Sequence, residues 1–314
     1  MNKFVAMLKL TRIEHSVMLV IAVLAGELIV AGHLPNAYVL LLSLIVPIFV
    51  SMGSFAINDY YDVEVDRLNK KTSRPIVSGA ISREGAMYVA ASSFVIGVAA
   101  SALINPYAFA IAFIFAALAA LYSYKLKEML LVGNIYIAFS MAIPFIFGDY
   151  VMSTGLNINI VLIMLVILLS GTAREIHGMI RDYHGDTKAR RIRNLPYYIG
   201  LKDSSYAALV LYVAAIAISV FMFLFRMPFR YNLVYIVPIA ITDILLLYVS
   251  AIYIKRHNVS KEGAFDAARN ISLGAMALAL IAYLLSSALY FGLFSICLWR
   301  LLREAAASPS LSSL

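Results

Sequence analysis

The sequence predicts an all-α polytopic membrane protein, nine transmembrane helices around a central cavity. Three observations predict it. The chain is 63% hydrophobic and only 13% charged, where soluble domains carry about a quarter charged residues, and its mean hydropathy is +0.89. Its apolar residues gather into runs of about 20, the length that crosses a bilayer as helix. Its charges fall between those runs.

The runs cover residues 16–33, 38–57, 85–104, 107–124, 129–148, 158–178, 205–226, 233–254 and 271–295. Lys3, Lys9 and Arg12 precede the first run as they would in a signal peptide. No small-residue cleavage site follows and eight further runs do, so it reads as an uncleaved span. Of the 25 basic residues, all but Arg226, Arg230, Arg300 and Arg303 belong to one alternating set of connections: the N-terminus, 58–84, 125–128, 179–204 and 255–270, with Arg174 at the adjoining helix end. The positive-inside rule puts that set in the cytoplasm and the C-terminus outside. The net charge of +8 therefore follows from topology and lipid contact, and no nucleic-acid partner is expected. The single cysteine, Cys297, excludes an internal disulfide and argues against a cysteine metal site. Residues 1–303 read as one transmembrane domain, and the Ala/Ser-rich residues 304–314 as a disordered tail.

Two acidic clusters stand out, Asn58-Asp59-Tyr60-Tyr61-Asp62-Val63-Glu64-Val65-Asp66 and Asp182-Tyr183-His184-Gly185-Asp186. Carboxylates in a membrane protein are expensive, and are a site hypothesis by default. With the helices continuing through them, Asn58, Asp62 and Asp66 share one face, as do Asp182 and Asp186. Like charges at this spacing repel and sit at the wrong end of the helix dipole, so a cation is needed to offset them. Oxygen ligands without Cys or paired His favour Mg²⁺, Mn²⁺ or Ca²⁺ over zinc. Two facing pairs suit Mg²⁺ bridged by a diphosphate. A lone Asp in such a loop is more often half of a solvated ion pair; two matched pairs weigh against that. Glu64 and Asp59 point off the main face, and Glu64 reads as solvated.

Basic residues nearby suit a polyanion: Arg67, Lys71 and Arg74 after the first cluster, Lys188, Arg190, Arg191 and Arg193 after the second, and Lys125 and Lys127 beside Tyr122 at the end of the fourth span. Positive-inside topology accounts equally well for most of the 179–204 run. Tyr60, Tyr61, Tyr122, Tyr124, Tyr136 and Phe139 are placed to face a carbocation, although core and interface-belt roles are the default for aromatics. Glu27 and Asp243 lie inside spans, and a neighbouring helix's hydroxyl is the simpler partner for each. Pro75 and Gly79 follow the first cluster much as Pro196 and Gly200 follow the second. This predicts two four-helix units plus a ninth helix.

At these residues the chain resembles the UbiA superfamily of intramembrane prenyltransferases. Asn58, Asp59, Asp62 and Asp66 match its NDxxDxxxD motif, followed by Arg74-Pro75 and Gly79. Asp182 and Asp186 match its DxxxD, followed by Leu195-Pro196. Tyr122 through Lys127 resembles its Tyr/Lys element. The resemblance implies that Asn58, Asp62, Asp66, Asp182 and Asp186 hold Mg²⁺ and the diphosphate of a polyprenyl donor. It implies that Lys127, Arg74 and Tyr122 touch the diphosphate, and that Arg12 matches a first-span arginine. Lys125, Lys71 and Lys188 join the expected phosphate contacts. Arg174-Glu175-Ile176 is similar to archaeal members that make digeranylgeranylglyceryl phosphate, although Gly178-Met179 and Arg181-Asp182 then depart from their Lys-Asp and Glu-Asp pairs.

The expected activity is Mg²⁺-assisted transfer of a geranylgeranyl-type group from its diphosphate to a lipophilic acceptor, best matched by geranylgeranylglyceryl phosphate. A quinone-precursor ring is the alternative acceptor. A cation-coupled transporter is the rival of another class. Its ion sites usually lie near the bilayer midplane between inverted repeats, whereas these acids sit at helix ends on one side. Phosphatidyl-alcohol transferases need a DGxxAR-type string that follows neither cluster.

Overall fold

The computed structural model describes residues 2–68, 71–129, 132–185, 194–256 and 262–307. Ten α-helices follow one another: α1 Lys3–Thr11, α2 Ile13–Ala31, α3 Ala37–Leu68, α4 Arg83–Ala102, α5 Pro106–Tyr124, α6 Val132–Met152, α7 Ile158–Gly185, α8 Leu195–Phe225, α9 Leu233–Arg256 and α10 Glu262–Ala307. Among the described residues, all except α1 are long and apolar enough to cross a membrane, nine in total. Helix is what lipid allows, because every backbone polar group must be satisfied within the segment.

Local chemistry sets the ends. Asn2, Ser82 and Asn105 accept from backbone N–H groups of the first turns of α1, α4 and α5, and Pro106 opens α5, where its missing N–H costs nothing. Gly32 closes α2 in the left-handed region at φ 75°. Gly200, at φ 84°, breaks α8 into a short entry piece and the span proper. The helices reach past the expected runs. α3 continues through the first acidic cluster to Leu68, and α7 through the second as far as Gly185. α10 runs to Ala307, into the segment expected as a tail, and 308–314 lie outside the described residues.

Helices pack against their chain neighbours, and α2 also packs on α6 and α10, closing the bundle. The α2–α6 crossing is backbone-close. A Cβ at Gly148 would stand 2.4 Å from the Val23 carbonyl oxygen, and one at Gly26 would stand 2.7 Å from that of Phe145. Reciprocal small residues of this kind bring membrane helices together where lipid offers no hydrophobic push. Asp149, fully buried at the far end of α6, accepts from Ser153 Oγ and Asn157 N and ties down the turn into α7. Glu27 is fully buried, and neither of its carboxylate oxygens has a hydrogen-bond partner among the described residues, while the Ser43 hydroxyl of α3 donates to Leu40 O. The hydroxyl partner expected for it is not found among those residues.

Candidate active site

One end of the bundle carries a network of opposed charges built mostly on α3. Because α3 stays helical, Asn58, Asp62 and Asp66 recur along one face. Asn58 Nδ2 donates to Asp62 Oδ2 at 3.0 Å, and Lys127 Nζ, from the turn after α5, reaches Asp62 Oδ1 at 2.5 Å. Lys71 Nζ sits 2.9 Å from Asp66 Oδ1, and Arg74 Nε 3.5 Å from Asp66 Oδ2. One face away, Asp59 is buried, and its Oδ1 accepts from Arg12 at 2.7 Å and from Arg74 at 2.9 Å.

Arg12 occupies the joint between α1 and α2 with left-handed backbone angles, φ 46° and ψ 52°. A non-glycine residue there is strained, and persists only where its surroundings over-determine it. The Asp59 carboxylate on one side and the Phe55 ring on the other, 4.6 Å from the guanidinium carbon, supply that constraint. Burial pulls the Arg12 guanidinium below its ordinary value, with the Asp59 charge opposing; an arginine stays charged regardless.

Tyr122 stands two residues before the end of α5. Its ring stacks on Tyr136 at 4.6 Å, and Tyr136 stacks in turn on Phe115. Phe115 walls an apolar cavity of about 50 Å³ with Val46, Pro47, Val50 and Phe147. An aromatic column thus leads from the charged end into the greasy interior.

The second half is less enclosed. Asp182 on α7 is half-exposed, and its two oxygens are held by Arg181 at 2.8 Å each. Glu175, seven residues earlier, accepts from Asn134 of α6 and from Arg174, both at 3.3 Å. A polar cavity of about 310 Å³ opens here between α6, α7, α9 and α10.

Residues 19–272 match the UbiA prenyltransferase family. The chain belongs to that family. The digeranylgeranylglyceryl phosphate synthase of Archaeoglobus fulgidus is 36% identical over 87% of this chain and 92% of its own length. A solved structure from work on digeranylgeranylglyceryl phosphate synthase in membranes superposes with TM-score 0.74, at 31% identity, over 92% of this chain and 99% of that one. A UbiA homolog from Archaeoglobus fulgidus bound to GPP and Mg²⁺ shares the fold, with TM-score 0.61 at 22% identity over 90% of this chain and 99% of that one. The chain is accordingly an integral membrane prenyltransferase.

For this UbiA chain, the donor set suits a hard divalent cation in type. It offers oxygen ligands only, and Mg²⁺ takes one or two protein carboxylates and fills its shell with water and phosphate oxygens. Asn58 gives its N–H to Asp62, which leaves its amide oxygen available to a cation. Among the described residues, no three carboxylate, imidazole or thiol groups converge; the carboxylates lean on Lys and Arg instead. The structure gathers Asn58, Asp62, Asp66, Lys71, Arg74, Tyr122, Lys127 and Arg12 at one end, with Arg12 locked on Asp59. Lys125 is exposed as the cap of α5 and makes no ion pair with the described residues. Asp186 and Lys188 lie outside the described residues. Glu64 pairs with Arg67 in the open, as read from its helical position.

Asp59 does lie off the main face, and there it is the hub of two arginines. Its own helix gives no hint, because its partner Arg12 is 47 residues away. Spacing also did not single out His177, Asn134 and Arg269, which line the second cavity. Polar residues within apolar runs were the available signal for the first two.

Proposed function

We propose that this prenyltransferase moves a geranylgeranyl group from its diphosphate to the free hydroxyl of geranylgeranylglyceryl phosphate. The observation that carries this reading is the charged end of α3, where carboxylates and Lys/Arg alternate above an aromatic column leading into lipid-like interior. The curated relatives named digeranylgeranylglyceryl phosphate synthase support the choice of acceptor. The positive-inside distribution supports a cytoplasmic position for this end.

In this reading Asn58, Asp62, Asp66, Asp182 and Asp186 would hold magnesium, which would supply charge stabilisation to the departing diphosphate. The protein's own groups do the rest. Lys127 turns its Nζ from Asp62 to a diphosphate oxygen, Lys71, Arg74, Lys125 and Lys188 add positive field, and Tyr122 donates its hydroxyl. The C1–O bond of the donor breaks and the acceptor oxygen bonds to C1. The hydroxyl proton passes to water or to the released diphosphate, which carries the electron pair of the broken C–O bond. The faces of Tyr122 and Tyr136 stabilise the allylic cation in between. Arg12 and Asp59 position Arg74. The prenyl tail runs down the aromatic column, shielded from water.

Turnover of labelled geranylgeranyl diphosphate tests this, with Mg²⁺ and a panel of phosphorylated glyceryl ether, aromatic and unphosphorylated acceptors. The expected product forms with the phosphorylated ether, disappears with EDTA, and falls about 10²–10³-fold in Asp62→Ala. Metal-independent turnover or a fully active Asp62→Ala overturns the proposal. Turnover of the aromatic acceptor alone replaces it with a quinone-precursor activity.

A further inference from the structure

α1 is too short to span a bilayer, yet it is apolar on two opposite sides. Ala6 and Leu10 are buried where α1 packs on α3. Leu10 shares a core cluster with Ala56, Ile57 and Val63 of α3, which sets α1 level with the first acidic cluster. Phe4, Val5, Met7 and Leu8 fall on the other side of the helix and are 68%, 41%, 39% and 38% exposed. Lys3 and Lys9 flank the two sides. Both are exposed, and neither forms an ion pair with the described residues. The left-handed Arg12 interrupts the helix between α1 and α2, so α1 does not simply prolong the α2 span into water. Four large apolar side chains on a helix of nine residues call for a cover.

Three observations choose lipid as that cover. α2 begins at Ile13, directly after the joint, and Val17 in its second turn is 57% exposed, so the lipid-facing surface of the bundle starts beside α1. The flanking lysines carry the charge that meets lipid phosphates, on stems that lie along apolar surface. A second copy of the chain is the poorer cover, because four partly covered side chains fall well short of the ~800 Å² per partner that a stable dimer buries. We infer that α1 lies in the membrane plane as an interfacial anchor. Phe4, Val5, Met7 and Leu8 sink ~5–10 Å into the boundary between headgroups and acyl chains of the leaflet at the charged end, with Lys3 and Lys9 at its phosphates. The strained joint at Arg12 is then held from two sides. Asp59 takes its guanidinium at 2.7 Å, and lipid holds the helix that precedes it. Because Arg74 shares the same Asp59 oxygen, the leaflet surface becomes the reference level for the basic side chains around the α3 carboxylates.

The test places a fluorophore on the outward side of α1 in the full-length protein. Trp299 is the only tryptophan of the chain, so Phe4→Trp in a Trp299→Phe background reports on α1 alone, and Leu8→Trp in the same background serves as a second reporter should the first variant fail to fold. Each is reconstituted into vesicles of phosphatidylcholine and phosphatidylglycerol. The expected emission is blue-shifted and shielded from aqueous iodide. Phosphatidylcholine brominated near the headgroup end of its acyl chains should quench it about twofold or more, and more strongly than lipid brominated near the tail end. Emission typical of tryptophan in water, with free quenching by iodide, overturns the anchor. So does blue-shifted emission that neither brominated lipid quenches, which would mean that protein covers this side. Stronger quenching by the tail-end bromine also overturns it, by placing α1 deep in the bilayer as part of a span. Shielding that disappears as the protein is diluted into more lipid overturns it in favour of a second copy.

Discussion

Two arginines from different parts of the chain share one oxygen of Asp59. Removing one partner of a buried ion pair strands the other, at about 3–5 kcal/mol. Asp59→Asn is therefore expected to lower the thermal midpoint of the solubilised protein more than Asp62→Asn, whose carboxylate is partly open to water. Equal midpoints would mean that water serves the guanidiniums. Lys127→Ala should act differently, raising the donor KM by about tenfold with little change in stability, since a partly exposed pair contributes about 1 kcal/mol or less to folding. At this scale the sequence was legible where chemistry is periodic. The row Asn58, Asp62, Asp66 follows from the helical repeat, and its basic partners Lys71 and Arg74 follow soon after in the chain. The pairing of Asp59 with Arg12 was not legible, because it depends on what the fold brings across from a distant part of the chain.

The helices were legible as apolar runs because lipid leaves few alternatives. Their ends were not, since a hydropathy count stops where the apolar residues stop, while α3, α7 and α10 continue as helix into polar sequence. α1 was missed because nine residues cannot make a span. Contacts between helices belong to this scale too. Gly148→Leu must push α6 off the Val23 carbonyl, and overpacking of this kind costs about 1–3 kcal/mol. Gly274→Ala on α10 meets nothing within 4 Å and should be neutral, or stabilising by up to about 1 kcal/mol through helix propensity. Thermal unfolding of the two variants side by side checks the contrast; a Gly148→Leu protein as stable as wild type would mean that the α2–α6 crossing relaxes freely.

For the molecule as a whole, the charge distribution predicts which end meets the cytoplasm. In a Cys297→Ser background, Lys125→Cys should react with a membrane-impermeant maleimide in inverted vesicles, and Tyr231→Cys in right-side-out ones. The opposite labelling would reverse the topology. Fold class and one half of the charged end were readable from composition and spacing. The second cavity was not, because its walls come from four helices spread between Asn134 and Ser272. The ion pairs of α3 bear finally on how the protein comes into being. Asp59, Asp62 and Asp66 each have a basic side chain from the same polypeptide within 3 Å. The charges of α3 are therefore balanced within the folded chain itself, so folding does not require a cation from outside to offset them. On the proposed function, ions and donor must then win these carboxylates from Lys71 and Lys127.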